Sequence, residues 1–499
     1  MSVPSPARPP EARQSIELAS ARGRRIVLAA VLGSGVALLD GSVVNIALPA
    51  IGRDLGGGLV VQQWVLDGYL LSLSALLLLG GVLGDRYGRR LVFSIGLVAF
   101  TLASLACGLA PTGPALIVAR LVQGVGGALL VPGSLALIDA SLRSDDRGRA
   151  VGLWAGLTGV ASAIGPFVGG WLVVAASWRW VFFLNLPLTA AALWVTLRHV
   201  PESRDPSAPA RLDLAGAAAI TLGLTGLTYT MIEFPSTGWT TRTIVAIAVG
   251  VLGLVAFPVI EARSRAPLLP LDVFRSRQFT GANLTTFTVY ASLGGALFLV
   301  ALQLQQSLGY SALVAGVATL PITVLMLLLS SRMGAFAQRV GPRAPMTLGP
   351  LVAGVGLALM SRIVPGASYW TVILPAVAIF GLGLTITVAP LTSTVLASVP
   401  EHQVGTASGV NNAVARTASL LAVAVLPPLA GISTHGGPLG PGFSRAMLIA
   451  AGLCGLGGVI ALLTVRRGVA VTTNPLPGVR QACQHPCTRR PAEEARTRS

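Results

Sequence analysis

Long apolar runs separated by short polar segments repeat along almost the whole chain. An α-helix needs about 20 mainly apolar residues to cross the hydrocarbon core of a bilayer. The pattern predicts membrane-spanning helices at about 26–49, 61–83, 91–110, 114–138, 150–175, 179–198, 213–233, 242–261, 279–304, 312–336, 345–363, 370–397, 405–431 and 444–465. The predicted fold class is an all-α polytopic membrane protein with fourteen spans.

A tight cluster of charges separates the second and third predicted helices. The cluster and the glycines beside it are Gly81, Asp85, Arg86, Gly88, Arg89 and Arg90. The glycines permit a close helix approach and a tight turn, so this stretch predicts a short hairpin. A similar spacing returns in the second half at Gly334, Arg339, Gly341 and Arg343. Two related halves are typical of many secondary transporters.

The repeat divides the chain into five segments. We expect a disordered tail at 1–25, a six-helix bundle at 26–200 and two extra helices at 211–262. A second six-helix bundle follows at 275–467, and a disordered tail at 468–499.

Composition excludes several classes of function. The chain is 53% hydrophobic and only 11% charged, whereas about 25% of the residues in soluble domains are charged. It contains no lysine, because all 35 basic residues are arginine. A P-loop and a Schiff-base lysine are therefore both impossible. Only four histidines occur and no long loop is predicted, so we expect no catalytic residues and no enzyme.

The arginines are distributed unequally between the two sides of the membrane. The side that holds both termini carries 27 of them, and the opposite loops carry Arg53, Arg179, Arg242, Arg362 and Arg445. This excess predicts that both termini are cytoplasmic. The net charge of +17 therefore reflects topology, and its dispersal over many short loops argues against a nucleic-acid partner. The Arg, Ala, Gly and Pro bias indicates a GC-rich bacterium, so we expect a bacterial cytoplasmic membrane.

The hairpin Gly81-x-x-x-Asp85-Arg86-x-Gly88-Arg89-Arg90 resembles the signature loop of the major facilitator superfamily. The resemblance implies two six-helix bundles, here with two extra central helices, and a monomeric transporter. It also implies a gating role for the loop. In the outward-open state we expect Asp85 to lie against the helix start near Gly405, and Arg89 to hold Asp139.

One acid lies deep inside the first span. Counted from Ile26, Asp40 lies about 20 Å along the helix, which is too deep for snorkelling, so a functional role is the first interpretation. A structural hydrogen bond to a neighbouring helix is the alternative. The surrounding motif combines Leu39-Asp40 with Asn45, Ala47, Leu48 and Pro49. It resembles the fourteen-span drug:proton antiporters of the QacA/EmrB type, which implies a carboxylate that exchanges protons.

Two further motifs match that family. Arg120 stands in Arg-x-x-Gln-Gly, where the resemblance implies proton coupling and a snorkelling arginine is the alternative. The fifth span carries the antiporter motif, with Ala161 in place of a glycine: Gly165, Pro166, Gly169 and Gly170. After Arg416 the family's usual glycines are replaced by Ala-Ser-Leu-Leu, which weakens the expectation of close helix packing there.

Several polar residues are candidates for a substrate cavity. They are Asp67, Tyr69, Glu233, Gln303 and Arg416. Asp67 and Glu233 could equally be interfacial acids, since both lie near a tryptophan. The acids favour lipophilic cations, although the two membrane arginines offset them.

The motifs together favour a proton-driven multidrug efflux antiporter for lipophilic, cationic compounds. A proton-coupled exporter of one natural product would share every motif and remains the alternative. We expect protons as the coupling ion and no other cofactor or metal. The Cys483, His485 and Cys487 group offers three ligands, too few for a structural zinc site.

Overall fold

The computed structural model describes residues 16–466 except 207, 209–210, 401–402 and 434–436. Residues 1–15 of the first expected tail and residues 468–499 of the second lie outside the described residues. Cys483, His485 and Cys487, the group considered for zinc, also lie outside the described residues.

Fourteen helices of the described chain are long and apolar enough to cross a membrane, which confirms the predicted fold class. They are α1 (Ala21–Leu55), α2 (Gly58–Tyr87), α3 (Arg89–Leu109), α4 (Gly113–Ser141), α5 (Ser144–Ala175), α6 (Trp180–His199), α7 (Leu214–Thr237), α8 (Thr241–Arg263), α9 (Arg277–Ser307), α10 (Ala312–Val340), α11 (Arg343–Met360), α12 (Tyr369–Ala397), α13 (Val404–Leu429) and α14 (Gly440–Thr464). We call the end of the bundle with Ala21 and Thr464 the proximal end, and the other the distal end.

Helices α1 to α6 pack mainly on one another, as do α9 to α14. The two groups meet along two seams, where α5 contacts α10 and α2 contacts α13. At the distal end two side-chain hydrogen bonds to backbone carbonyls join the two groups. Gln63 of α2 donates to the Val423 carbonyl of α13 at 2.8 Å, and Gln305 of α9 donates to the Ile46 carbonyl of α1 at 3.0 Å.

The glycines of the antiporter motif explain how α5 joins the two groups. A Cβ at Gly165 would lie 1.9 Å from the Ser42 Oγ of α1. A Cβ at Gly170 would lie 2.5 Å from the Ala312 carbonyl oxygen of α10. Gly316 of α10 packs equally closely on the Pro166 carbonyl oxygen. The motif therefore lets one helix pack tightly on both groups, because small residues permit backbone contact.

The same face of α5 is unpacked toward the proximal end. Gly152, Gly156 and Gly159 continue the helical stripe of Pro166 and Gly170, since residues three or four apart share a helix face. No atom lies within 4 Å of their Cβ positions beyond the helix itself. The described α5–α10 seam is thus closed distally and open proximally.

The two extra helices form a hairpin beside the other seam. Helix α7 contacts both α2 and α13, whereas α8 packs almost only on α7. Glycines bring the pair together: a Cβ at Gly226 would lie 2.4 Å from the Ala246 carbonyl oxygen. The opposite face of α8 is exposed and apolar, with Leu252 68% exposed. This face is suited to contact lipid.

Two expectations need correction. Residues 16–25 are ordered rather than disordered: Leu18 is buried, the Ile16 N–H donates to the Ser141 carbonyl at 3.1 Å, and Ser20 caps α1. The packing of α13 is also close despite its missing glycines. The reason is that Gly294 of α9 supplies the small residue, because a Cβ there would lie 2.8 Å from Ser419.

Replacing Gly316 with valine should open the distal end of the α5–α10 seam. The new Cβ would lie 2.2 Å from the Pro166 carbonyl oxygen, and overpacking of this kind costs about 1–3 kcal/mol. Spin labels on the distal ends of the two helices should report a longer distance. Gly452→Val is the control, since nothing lies within 4 Å of that position. An unchanged distance in Gly316→Val would contradict the packing account.

Candidate functional site

Asp40 lies at the centre of a buried polar network in the first group of helices. Its side chain is fully buried and forms an ion pair with Arg120 through Oδ2. Its Oδ1 accepts hydrogen bonds from Gln123 Nε2 at 2.9 Å and from Asn185 Nδ2 at 2.8 Å. The structure therefore brings the two residues predicted for proton coupling together.

Arg120 is fully buried, and its Nε and Nη1 donate hydrogen bonds while its Nη2 has no hydrogen-bond partner among the described residues. Its Nε donates to the Val65 carbonyl of α2 at 2.9 Å, and its Nη1 also donates to Gln123 Oε1 at 2.6 Å. The guanidinium carbon lies 4.4 Å from the centroid of the Tyr69 ring and 5.8 Å from that of Phe182. These contacts exclude the snorkelling interpretation, because the charge points into the bundle and not toward a membrane surface.

Five helices supply the network. Asp40 comes from α1, the Val65 carbonyl from α2, and both Arg120 and Gln123 from α4. Ser104 of α3 accepts from Gln123 at 2.7 Å and from Asn185 of α6 at 3.1 Å. A change in the charge of Asp40 would therefore alter contacts on five of the six helices in this group.

Sequence reasoning missed three members of the network. Gln123 was visible in Arg-x-x-Gln-Gly, but no role was assigned to it. Asn185 is a lone amide in the apolar stretch that forms α6, and a polar residue at membrane depth is a functional signal. Ser104 gives no such signal, since serine is common in membrane helices.

Asp67 lies fully buried on α2, and neither carboxylate oxygen has a hydrogen-bond partner among the described residues. It is one helical turn from Gln63, which bonds to α13, so both point toward the seam between the two groups of helices. Tyr69, two residues on, is buried and donates to the Ala37 carbonyl at 3.1 Å. The aromatic ring of Tyr69 belongs to the Arg120 network instead of to an open cavity.

The remaining candidates for a substrate cavity lie on three different helices and have different partners. Glu233 of α7 accepts from Trp64 Nε1 of α2 at 2.8 Å. Gln303 is buried and donates to the Ile363 carbonyl at 2.7 Å, so the structure gives it an internal bond in place of the expected cavity position. Arg416 is half-buried on α13.

The signature loop is a one-residue turn at Gly88, whose φ of 123° favours glycine. Glu202 crosses this turn and accepts from the Arg90 N–H at 3.0 Å and the Leu91 N–H at 3.1 Å. Gly81, near the end of α2, packs against α4: a Cβ built at this glycine would lie 3.7 Å from the Cβ of Pro132. The loop is thus tied to the segment after α6, a contact that the motif alone does not indicate.

The ion pairs at the loop differ from the expected ones. Arg89 pairs with Asp85 at 2.8 Å, whereas Asp139 pairs with Arg147 of α5 at 3.3 Å. Each observed pair joins residues on consecutive helices, Asp85 of α2 with Arg89 of α3 and Asp139 of α4 with Arg147 of α5. The two members of each pair are therefore much closer in sequence than Arg89 and Asp139 are. Among the described residues Arg86 forms no ion pair, and its guanidinium carbon lies 5.1 Å from the Tyr87 ring centroid.

Solved structures share this fold at low sequence identity. A D-xylose-proton symporter matches with a TM-score of 0.63 and 16% identity, covering 89% of this chain and 98% of that chain. A POT family transporter in complex with 5-aminolevulinic acid matches with a TM-score of 0.68 and 16% identity, covering 90% and 98%.

Relatives are more similar in sequence. The puromycin resistance protein pur8 of Streptomyces alboniger is 38% identical, over 81% of this chain and 80% of its own length. The tetracenomycin C resistance and export protein of Streptomyces glaucescens and the multidrug resistance protein Stp of Mycobacterium tuberculosis are each 34% identical, over 80% of this chain and 74% of their own lengths. The family model described as Major Facilitator Superfamily matches residues 30–423. This chain is therefore a multi-pass membrane transporter that belongs to the major facilitator superfamily.

Proposed function

We propose that this protein is a proton-driven antiporter that exports lipophilic compounds from a bacterial cell. The observation that carries the proposal is the Asp40–Arg120 pair inside a closed polar network. Relatives named for resistance to puromycin and for export of tetracenomycin C support the direction of transport and the class of compound.

The network provides a carboxylate, Asp40, that can either pair with Arg120 or bind a proton. When Asp40 takes up a proton, its attraction to Arg120 is lost, and the amides of Gln123 and Asn185 no longer face a full charge. The buried guanidinium is then left without a counter-ion, which costs several kcal/mol unless the helices rearrange. Proton binding therefore favours a different arrangement of the five helices, and that coupling is what antiport requires.

The arginine asymmetry supports a cytoplasmic location for the proximal end. With this orientation the described state is closed to the outside along α5–α10 and open toward the cytoplasm. Asp85 would act in the opposite state, where the proximal end closes and the start of α13 at Val404 offers partly positive N–H groups.

A specific natural-product exporter is the second candidate function. It is favoured by relatives named for single antibiotics, including the methylenomycin A resistance protein of Bacillus subtilis, which is 34% identical over 87% of this chain and 93% of its own length. A drug-susceptibility panel on an expressing strain separates the two functions. Resistance to several unrelated lipophilic compounds supports multidrug efflux, and resistance to one compound supports the specific exporter.

Asp40→Asn should abolish proton-coupled efflux and leave the protein folded and inserted. The amide keeps the shape of the side chain but cannot titrate. The measurement is substrate flux driven by a pH gradient in inside-out vesicles. Asp54→Asn is the control on the same helix, because Asp54 pairs with Arg179 at the distal end. Wild-type flux in Asp40→Asn would exclude the assignment.

Asn185→Ala should reduce proton-coupled efflux. The reason is that Asn185 donates a hydrogen bond to the buried carboxylate of Asp40, and a hydrogen bond to a charged group is worth about 1.5–3 kcal/mol. The measurement is substrate flux driven by a pH gradient in inside-out vesicles. Thr189→Ala is the control, since Thr189 is equally buried one turn along α6 but bonds to the Asn185 carbonyl. Equal flux in the two variants would contradict the role of Asn185.

Asp67→Asn should weaken export of cationic compounds and spare neutral ones. A carboxylate at the seam attracts charged substrates through Coulomb forces that neutral substrates do not feel. The measurement is export of matched cationic and neutral fluorescent compounds. Equal losses for both classes would instead assign Asp67 a structural role between α2 and α13.

A further inference from the structure

Two carboxyl groups lie side by side at the proximal end of the α7–α8 hairpin. Asp213 is the N-cap of α7, and Glu261 lies in the last turn of α8. The two residues are 8% and 3% exposed. A Cβ at Gly216 would lie 2.5 Å from Glu261 Oε1 and 3.1 Å from Asp213 Cγ. Both acids therefore border the same buried position between two helices.

Each carboxyl group uses only one of its oxygens. Asp213 Oδ1 accepts from the Gly216 N–H at 2.7 Å, and Glu261 Oε2 accepts from the Leu269 N–H at 2.9 Å. The other oxygens, Asp213 Oδ2 and Glu261 Oε1, are buried and have no hydrogen-bond partner among the described residues. Two acceptors that lack donors thus lie in one small region.

No arginine compensates this pair in the part of the chain that the structure describes. The charged residues on the adjoining segments and at the proximal end of α2 are Arg211, Arg263, Arg265, Asp272, Arg275, Asp85 and Arg86. Two ionised carboxylates at this spacing would repel each other and lose their hydration, so one of them must be protonated or a cation must lie between them. A proton needs no further ligands, whereas a metal ion would need several more oxygen atoms.

We propose that Asp213 and Glu261 bind one proton between them and that this proton fastens the hairpin to the linker that follows α8. The protonated carboxyl donates its O–H to the free oxygen of the other. Glu261 at the same time holds the linker through the Leu269 N–H. Loss of the proton leaves two carboxylates that repel each other. The end of α8 and the linker after it then move away from the start of α7.

A shared proton makes the stability of the folded protein depend on pH in one definite direction. The folded protein keeps a proton that the unfolded chain releases at neutral pH, so folding is favoured at lower pH and stability falls as the pH rises through the titration of the pair. Asp213→Asn keeps the N-cap, and its amide replaces the O–H donor without a titrating proton. In Glu261→Gln the new amide likewise donates a hydrogen bond to Asp213 without a titrating proton. Both variants should remove the fall in stability that the wild type shows as the pH rises.

The test measures the melting temperature of the purified full-length protein between about pH 6 and about pH 9. We expect the melting temperature of the wild type to fall with rising pH and that of Asp213→Asn and Glu261→Gln to fall less. Infrared difference spectra should show a protonated carboxyl band in the wild type that both variants lack. Glu202→Gln is the control, because the oxygens of Glu202 already accept backbone N–H groups at the proximal surface, so this variant should keep the wild-type slope.

Two results would overturn the proposal. One is a wild-type slope and carboxyl band that persist in both variants. The other is stabilisation of the wild type by added magnesium or calcium at the high end of the pH range, absent in Glu261→Gln, which would assign the pair to a metal ion instead.

Discussion

A charge pair that is sealed from water governs this structure. Asp40 and Arg120 are both fully buried, and a buried ion pair is tolerated only when its geometry is good and its remaining donors and acceptors are satisfied. The surrounding helices provide most of those partners. Gln123 and Asn185 donate hydrogen bonds to the carboxylate. The guanidinium donates to the Val65 carbonyl and lies over the Tyr69 ring, and its Nη2 has no hydrogen-bond partner among the described residues. Residues from five of the first six helices therefore converge on one buried ion pair.

The second constraint is the close contact of α5 with both groups of helices. Gly165 packs on α1, and Gly170 packs on α10. Asp40 lies on the same helix as Ser42, the residue that Gly165 contacts. Helix α5 therefore links the helix that carries Asp40 to the second group of helices through close contacts.

The extra hairpin has a different relation to the rest of the molecule. Only α7 contacts the seam between α2 and α13, and Glu233 fixes it to Trp64 near the distal end. At the proximal end the hairpin is joined to the following linker through Glu261. The hairpin is therefore held by hydrogen bonds near both ends in addition to the packing of α7, and the apolar face of α8 is exposed.

Much of the fold followed from the sequence because apolar length and charge spacing are local properties. The fourteen spans, the hairpin at Gly88 and the presence of two charges, Asp40 and Arg120, inside the membrane were predicted from them. The pairing of those charges, the amides of Gln123 and Asn185, and the partner of Arg89 were decided only by the tertiary structure. The physical reason is that membrane helices are apolar on most of their surface, so periodicity does not reveal which face meets which neighbour. Helix rotation and register fix those contacts, and they depend on packing between residues far apart in the chain.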